Sequence, residues 1–215
     1  FIRGAQSLSD LRRDELLEKI GLAATVDIDS AKYTINTPAG EATLPKSQYL
    51  PIFEALSKRP HTLKEIISLL NKENLEKLPS MVEIAGILVG TSQALALPWG
   101  INPEKNFTSI AFNRKVVLPT INRENSMVAL ASTLAGSGLN LNAIEAIVYH
   151  LAASGLDDQK IMSSSLAILA NKPNPIIIDG QIISNPEEIV ASLKEGVEWT
   201  INKRIPVWRN LLMMD

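Results

Sequence analysis

The order of hydrophobic and polar positions predicts an α+β chain that is made mostly of helices. Apolar residues recur at helical spacing over roughly 48–58. A second helix is predicted to begin at Leu63, because Thr62 and Glu65 have the spacing of a capping box. These two helices are followed by a third apolar segment, so the pattern predicts three successive helices in this part of the chain.

Looser alternation predicts short strands ahead of these helices. Residues 22–28 and 32–37 are expected to pair as a hairpin, and a further strand is expected at 41–44. Strands beside three short helices predict a winged-helix-like N-terminal lobe over residues 1–100. An amphipathic helix is expected in front of the strands, with an apolar stripe that consists of Leu8, Leu11, Leu16, Leu17 and Ile20.

The third helix of this lobe is the most informative segment. Residues 80–97 are predicted to form one long helix that contains a single charged residue, Glu83. A DNA-reading helix at this position would carry Arg and Lys for the phosphates, and Gln93 is its one side chain suited to base edges. We therefore expect this helix to pack against protein.

The second lobe, residues 101–215, is predicted to be helical with one hairpin. The boundary is placed within 98–126, where proline and glycine interrupt the pattern and 107–118 is compatible with a helix or a strand. A buried segment is expected at 127–134, followed by helices near 142–154 and 157–171. A hairpin is expected at 176–183, with Asp179-Gly180 as its turn. The last helix is expected to be capped by Asn185-Pro186 and to end or kink at Pro206.

Composition narrows the class of protein. The chain has 215 residues, of which 46% are hydrophobic and 20% charged, and this is ordinary for a globular protein. A net charge of −2 gives no electrostatic reason to expect nucleic acid or an anionic membrane as a partner. The absence of Cys excludes disulfides and thiolate metal sites. Because the chain starts at Phe1 without a signal-peptide pattern, we expect it to be part of a longer protein.

One motif has a partial likeness to a phosphate-binding loop. Gly136-Ser137-Gly138 follows a strand-like run and precedes a predicted helix. The third glycine of a dinucleotide loop is missing, because Leu141 stands in its place, and no acidic residue follows at the expected distance. A flexible turn is the favoured interpretation, and no cofactor is predicted.

The sequence contains no recognisable catalytic or metal-binding constellation. His61 and His150 are the only histidines, which is too few for a zinc site, and both are expected in structural or surface positions. Neither a G-x-S-x-G elbow nor an S-x-x-K nucleophile is present. The adjacent acidic pairs, which are Asp14-Glu15, Asp157-Asp158 and Glu187-Glu188, are expected at helix starts or on solvated faces.

Trp199 and Trp208 are the candidate interface residues of the C-terminal lobe, since tryptophan is enriched in interface cores, although a core position is commoner. Trp99 is expected to pack at the exit from the third helix. The basic residues Lys203, Arg204 and Arg209 are expected on a solvated face.

Short sequence fragments occur in a fixed order along nearly the whole chain. They are residues 1–5 with Leu8-Ser9, Pro38-Ala39-Gly40-Glu41, Tyr49-Leu50-Pro51, Pro60 with Thr62-Leu63-Lys64-Glu65, Phe112-Asn113-Arg114, Leu130-Ala131-Ser132, Gly136-Ser137-Gly138 and Asp179-Gly180. Together they resemble the C-terminal region of bacterial class I methyltransferases that carry a predicted methyltransferase regulatory domain. The rickettsial protein-lysine methyltransferases of outer-membrane protein are similar.

The resemblance implies a non-catalytic accessory domain of an S-adenosylmethionine-dependent methyltransferase. Its implied partners are the catalytic domain of the same parent chain and the protein substrate. The absence of Cys favours a cytoplasmic location, and the charge and motifs of the chain predict no nucleic acid, membrane or cofactor as a partner. In that family the cofactor domain lies toward the N-terminus, and nothing in this chain resembles its glycine-rich motif. A winged-helix DNA-binding regulator is the alternative, and a self-contained enzyme is a third hypothesis.

Overall fold

The chain folds into two compact units, Phe1–Pro103 and Glu104–Asp215. A computed structural model describes residues 7–37, 40–73, 77–97, 107–121, 127–171, 176–178, 181–183 and 185–215. Both units combine helices with sheets of two or three strands, so the predicted α+β, mostly helical fold class is confirmed. Within these ranges, no helix combines the length and the apolar composition needed to cross a membrane.

The first unit packs helices on a small antiparallel sheet. Its elements are α1 (Asp10–Leu17), β1 (Gly21–Ala24), β2 (Thr34–Thr37), β3 (Gly40–Thr43), α2 (Lys46–Lys58), β4 (His61–Thr62), α3 (Leu63–Lys72), α4 (Met81–Gly90) and β5 (Ala94–Leu97). Strand β1 lies between β4 and β5 and is antiparallel to both. Helices α2, α3 and α4 bury their apolar faces in one core with β1. The result is a winged-helix-like arrangement whose central strand comes from ahead of the helices.

The predicted hairpin between residues 22–28 and 32–37 is wrong. Strand β1 pairs with β5 over four residues, from Gly21 opposite Leu97 to Ala24 opposite Ala94. Strand β2 pairs with β3 instead. The physical reason is burial, because every residue of β1 is buried between its two neighbours and β3 is exposed throughout. Hydrophobic β1 therefore takes partners that complete the core.

The predicted long helix over 80–97 is also wrong at its C-terminal end. Helix α4 ends at Gly90, and Ser92 follows in the left-handed region with φ 59°. The Ser92 N–H donates to the Val89 carbonyl, and the Gln93 N–H donates to the Leu88 carbonyl at 2.9 Å. This is the Schellman hydrogen-bond pattern of a helix end. Residues Ala94–Leu97 then form β5, which pairs with β1 along one of its edges.

The second unit contains five α-helices and two hairpins within its described residues. Its elements are α5 (Phe107–Ile121), β6 (Val128–Ser132), β7 (Ser137–Leu141), α6 (Ala143–Ala153), α7 (Asp158–Ala170), β8 (Ile176–Ile178), β9 (Gln181–Ile183), α8 (Pro186–Trp199), the π-helical turn Thr200–Arg204 and α9 (Ile205–Asn210). The structure resolves the choice for 107–118 in favour of a helix. The predicted buried segment at 127–134 contains strand β6, with one face buried and the other more exposed.

Most predicted helix starts of this unit are confirmed by side-chain caps. Asn142 and Glu145 form a reciprocal capping box at α6. Asp157 caps α7, and Asn185 caps α8 with Pro186 in the first turn. The predicted hairpin at 176–183 is present as the pair β8–β9, and its expected Asp179-Gly180 turn lies outside the described residues.

Pro206 does not end the last helix, so of the two predicted outcomes, an end or a kink, the end is wrong. Helix α8 passes into the π-helical turn, in which the Ile205 N–H donates to the Thr200 carbonyl five residues earlier. Pro206 then stands in the first turn of α9, where a missing backbone N–H leaves no hydrogen bond broken. The wider turn therefore lets the helical path continue across the proline.

Candidate functional site

Helix α4 divides into a core face and an outer face. Ser80 caps its start by accepting a hydrogen bond from the Glu83 N–H at 3.1 Å. Ile84 and Leu88 are fully buried, whereas Val82 and Val89 on the outer side are 47% and 37% exposed. Glu83 is the one charged residue of the helix. The outer face is thus largely uncharged and partly apolar.

A groove of about 480 Å³ lies beside the N-terminus of α4. Its apolar wall consists of Ile67 of α3 and residues 78–82, and its polar rim consists of Arg13 and Asp14 of α1. Arg13 lies 2.9 Å from both Asp10 and Asp14, so its charge is already compensated. The groove therefore offers apolar surface with a neutralised rim.

The apolar stripe predicted for the first helix is only partly buried. Leu17 and Ile20 pack against the core, but Leu8, Leu11 and Leu16 are 57%, 75% and 39% exposed. No residue of α1 is fully buried. The N-terminal part of the predicted stripe therefore adds exposed apolar surface to this unit.

Gln93 is committed to the interior of the first unit. It is 3% exposed, its Oε1 accepts from the Lys32 N–H at 2.6 Å, and its Nε2 donates to the Lys32 carbonyl at 3.1 Å. A second bond joins Nε2 to Thr91 Oγ1 at 3.0 Å. The one side chain of the predicted third helix that suits base reading therefore fastens the loop after β1 to the end of α4.

The two histidines lie on different elements, His61 on β4 and His150 on α6. His61 Nδ1 lies 2.9 Å from the Arg59 carbonyl oxygen, in the short strand β4 rather than in a turn. His150 is half-buried on α6, and this burial lowers its pKa. Across the described residues, no group of three His, Cys, Asp or Glu side chains could hold a metal ion.

The His150 environment predicts a loss of stability on mild acidification. Because the folded-state pKa lies below the unfolded value of about 6.5, the unfolded chain takes up more protons as pH falls through that value. The free energy of unfolding should therefore decrease from pH 7 toward pH 5. Urea unfolding of His150→Gln should show a shallower decrease over the same window, and an unchanged slope would contradict the assignment.

The Gly136-Ser137-Gly138 segment forms a hairpin end, not a phosphate loop. Gly136 has φ +60° in the turn between β6 and β7, and residues 137 and 138 already belong to β7. The next helix starts only after β7, at Ala143. A shallow groove over this hairpin is lined by uncharged residues, so its lining presents no cation to a phosphate.

Gly138 is required by close packing within this hairpin. A Cβ atom at this position would lie 2.9 Å from the backbone oxygen of Leu130. Gly138→Ala should therefore lower the free energy of unfolding by about 1–3 kcal/mol, as measured by urea denaturation. Gly86→Ala is the matched control, because the added methyl meets nothing within 4 Å and a helix interior favours Ala. Equal effects of the two substitutions would overturn this explanation.

A buried polar cluster holds the last residues of the chain. Asn113 on α5 is fully buried; its Nδ2 donates to the Ala131 carbonyl at 2.8 Å and to the Met213 carbonyl at 3.1 Å. Its Oδ1 accepts from the Ala131 N–H at 2.7 Å. Tyr149 Oη donates to the Met213 carbonyl at 2.7 Å, and burial raises the pKa of Tyr149 to about 12. This cluster is structural.

Sequence reasoning missed the roles of Asn113 and of Arg204. Arg204 does not lie on a solvated basic face, because its Nε lies 2.6 Å from Glu145 Oε1 and the two side chains are 11% and 8% exposed. Arg204 is the last residue of the π-helical turn. An Asn inside the segment 107–118, which is compatible with a helix or a strand, was a usable signal for a buried hydrogen-bonding role, but no local pattern identified the partner of Arg204.

The tryptophans differ in their surroundings. Trp208 is fully buried and packs edge-on against Tyr149, with ring centroids 5.5 Å apart. It therefore has no surface to offer to a partner, which removes it as an interface candidate. Trp199 is 44% exposed and stays a candidate. Trp99 lies outside the described residues.

Comparison with known proteins gives one distant relative. The chain is 26% identical over 215 residues to an uncharacterised protein of Synechocystis sp., sll1526, and the match covers 98% of this chain. The chain spans 41% of the length of that relative. No family model matches the sequence, and no solved structure matches it.

Proposed function

We propose that the chain is a non-catalytic accessory domain of a bacterial, cytoplasmic S-adenosylmethionine-dependent methyltransferase. Its role is to dock the catalytic domain of the parent chain or to position a protein substrate. The proposal rests mainly on the two faces of α4. Ile84 and Leu88 are buried in the core, whereas Val82 and Val89 lie on a nearly uncharged outer face. The ordered sequence resemblance supplies the class of enzyme.

The outer face of α4 suits a protein partner. Val82 and Val89 are seven residues apart, so they lie on the same side of the helix. Covering their apolar surface with a partner would lower the free energy of the system. The neighbouring groove extends this surface along α1 and α3. An interface of this kind needs an apolar centre depleted in charge, and α4 with Glu83 alone fulfils that condition.

The electrostatics around α4 disfavour a phosphate backbone. Lys64 on α3 lies 2.9 Å from Glu18, and Arg59 lies 2.9 Å from Glu65. Arg59 lowers the pKa of Glu65, which keeps that carboxylate charged beside the start of α3. Binding of duplex DNA would need several uncompensated cations on one face, and α4 contributes none.

The distant relative is compatible with an accessory role. The match covers almost all of this chain but less than half of the relative. A domain that recurs as part of a longer polypeptide has neighbouring segments available as intramolecular partners. Tethering also raises their effective concentration, so even a weakly apolar surface suffices for docking.

Charge placed on the outer face of α4 tests the proposal. In the parent methyltransferase, combined Val82→Asp and Val89→Asp substitutions should lower methylation of the protein substrate by about tenfold, because a central apolar contact is lost. Leu118→Asp on α5 is the matched control, since Leu118 and Val82 are both 47% exposed. Unchanged methylation in the double variant, or an equal loss in the control, would refute docking through α4.

A further inference from the structure

We propose that the exposed face of α8, centred on Trp199, is a docking surface for a basic peptide segment of a protein partner. The inference rests on the part of the proposed function that gives this chain a protein partner, and it adds the chemistry of that partner. It does not depend on α4 or on the identity of the enzyme.

An aromatic ring forms the centre of this face of α8. Trp199 is 44% exposed, while Leu193 and Val197 on the opposite side are buried. Ser192 precedes Trp199 by seven residues, so it lies on the same side two turns earlier, and its side chain is too small to cover the indole. Tryptophan is among the residue types most enriched in binding hot spots. Almost half of the Trp199 side chain is accessible to a partner.

Acidic side chains flank Trp199. Glu195 lies one turn before Trp199, Glu188 lies on the same side further along, and Glu198 is adjacent. All three are exposed, and Glu195 and Glu198 make no ion pair within the described part of the chain. Glu188 accepts a hydrogen bond from Asn185 Nδ2 at 3.3 Å.

The opposing charge on this helix is small. Lys194 is the one basic residue of α8, and helical geometry puts it about 140° from Trp199 around the helix axis. Lys203 follows Trp199 by four residues in the π-helical turn, so Glu188, Glu195 and Glu198 stand against this one lysine near the ring. The face therefore combines an aromatic centre with net negative charge. Its complement is a segment that carries Lys or Arg beside an apolar side chain, with the cation over the indole ring or against the carboxylates.

Peptide titration of the 215-residue chain tests this surface. A fluorescent peptide that alternates Lys and Leu should bind saturably at low salt and more weakly at physiological salt, where the Debye length is about 8 Å. Trp199→Ala should weaken binding by about fivefold, and the double variant Glu195→Gln with Glu198→Gln by a similar factor. The Trp199 indole N–H, assigned through Trp199→Phe, should shift in the NMR spectrum of the complex.

Two controls make the result decisive. A peptide that alternates Glu and Leu should not bind, and Glu41→Gln on exposed β3 should leave affinity unchanged. Equal binding of both peptides, or wild-type affinity in the Trp199 and Glu195/Glu198 variants, would overturn the proposal. Loss of this binding with intact methylation would leave docking through α4 standing, so the two proposals fail separately.

Discussion

Arg204→Ala is expected to lower the free energy of unfolding by about 3–5 kcal/mol. Arg204 Nε lies 2.6 Å from Glu145 Oε1, and both side chains are about nine-tenths buried. Removal of the guanidinium leaves the Glu145 carboxylate in the interior without its counter-charge, although its other oxygen still accepts from the Asn142 N–H. Since whole domains are stable by about 5–15 kcal/mol, urea unfolding should show a large decrease.

The exposed ion pair Arg114–Asp215 is the matched control. Its atoms are also 2.6 Å apart, but the two side chains are 47% and 50% exposed. Water screens this pair, so Arg114→Ala should cost about 0–1 kcal/mol. Similar losses in the Arg204 and Arg114 variants would show that burial does not determine the contribution of these ion pairs.

Asn113→Ala is expected to cost about 3 kcal/mol or more, because several buried groups lose their partner at once. The variant leaves the Ala131 N–H without its acceptor and withdraws a donor from the carbonyls of Ala131 and Met213. The same side chain also binds the Met213 carbonyl near the C-terminus. Its removal should therefore increase the amide hydrogen exchange of the C-terminal residues. Thermal and urea unfolding measure the first effect, and amide exchange measures the second.

Two further variants calibrate the Asn113 result. Tyr149→Phe removes one hydrogen bond to Met213, at 2.7 Å, and should cost about 1 kcal/mol. Asn140→Ala on exposed β7 should change stability by less than about 0.5 kcal/mol. An Asn113→Ala variant as stable as Asn140→Ala would contradict the account of the cluster.

Local signals in the sequence were sufficient to predict helices and their starts. Ser80, Asn142, Asp157 and Asn185 each accept a backbone N–H bond at the predicted helix start. The apolar spacing of α2 and α3 likewise identified buried faces. Helix caps and amphipathic spacing involve residues within one or two turns of each other. The local sequence is therefore sufficient to predict helix starts and buried helix faces.

Long-range pairings could not be predicted in the same way. Strand β1 pairs with β5, some seventy residues later, and nothing near Leu22 specifies that partner. The run 80–97 was read as one helix because its apolar character is continuous, whereas Thr91 and Ser92 form a helix end that permits a strand to follow. The partner of Arg204 likewise depends on the path of the last helix.

Some fragments that carry the family resemblance meet in space. Asn113 bonds the backbone of Ala131, and Ala131 stands opposite Gly138 in the β6–β7 pair. Residues from three separate fragments of the sequence therefore belong to one structural cluster. Their roles in that cluster are hydrogen bonding and close packing.

Docking of a methyltransferase catalytic domain through α4, as proposed, is measured most directly by calorimetric titration of the 215-residue chain with that domain of the proposed parent enzyme, expressed separately. We expect saturable binding with a negative heat-capacity change, because apolar surface on α4 becomes covered. The Val82→Asp, Val89→Asp chain should bind at least about tenfold more weakly. No binding, or wild-type affinity in the substituted chain, would contradict the account.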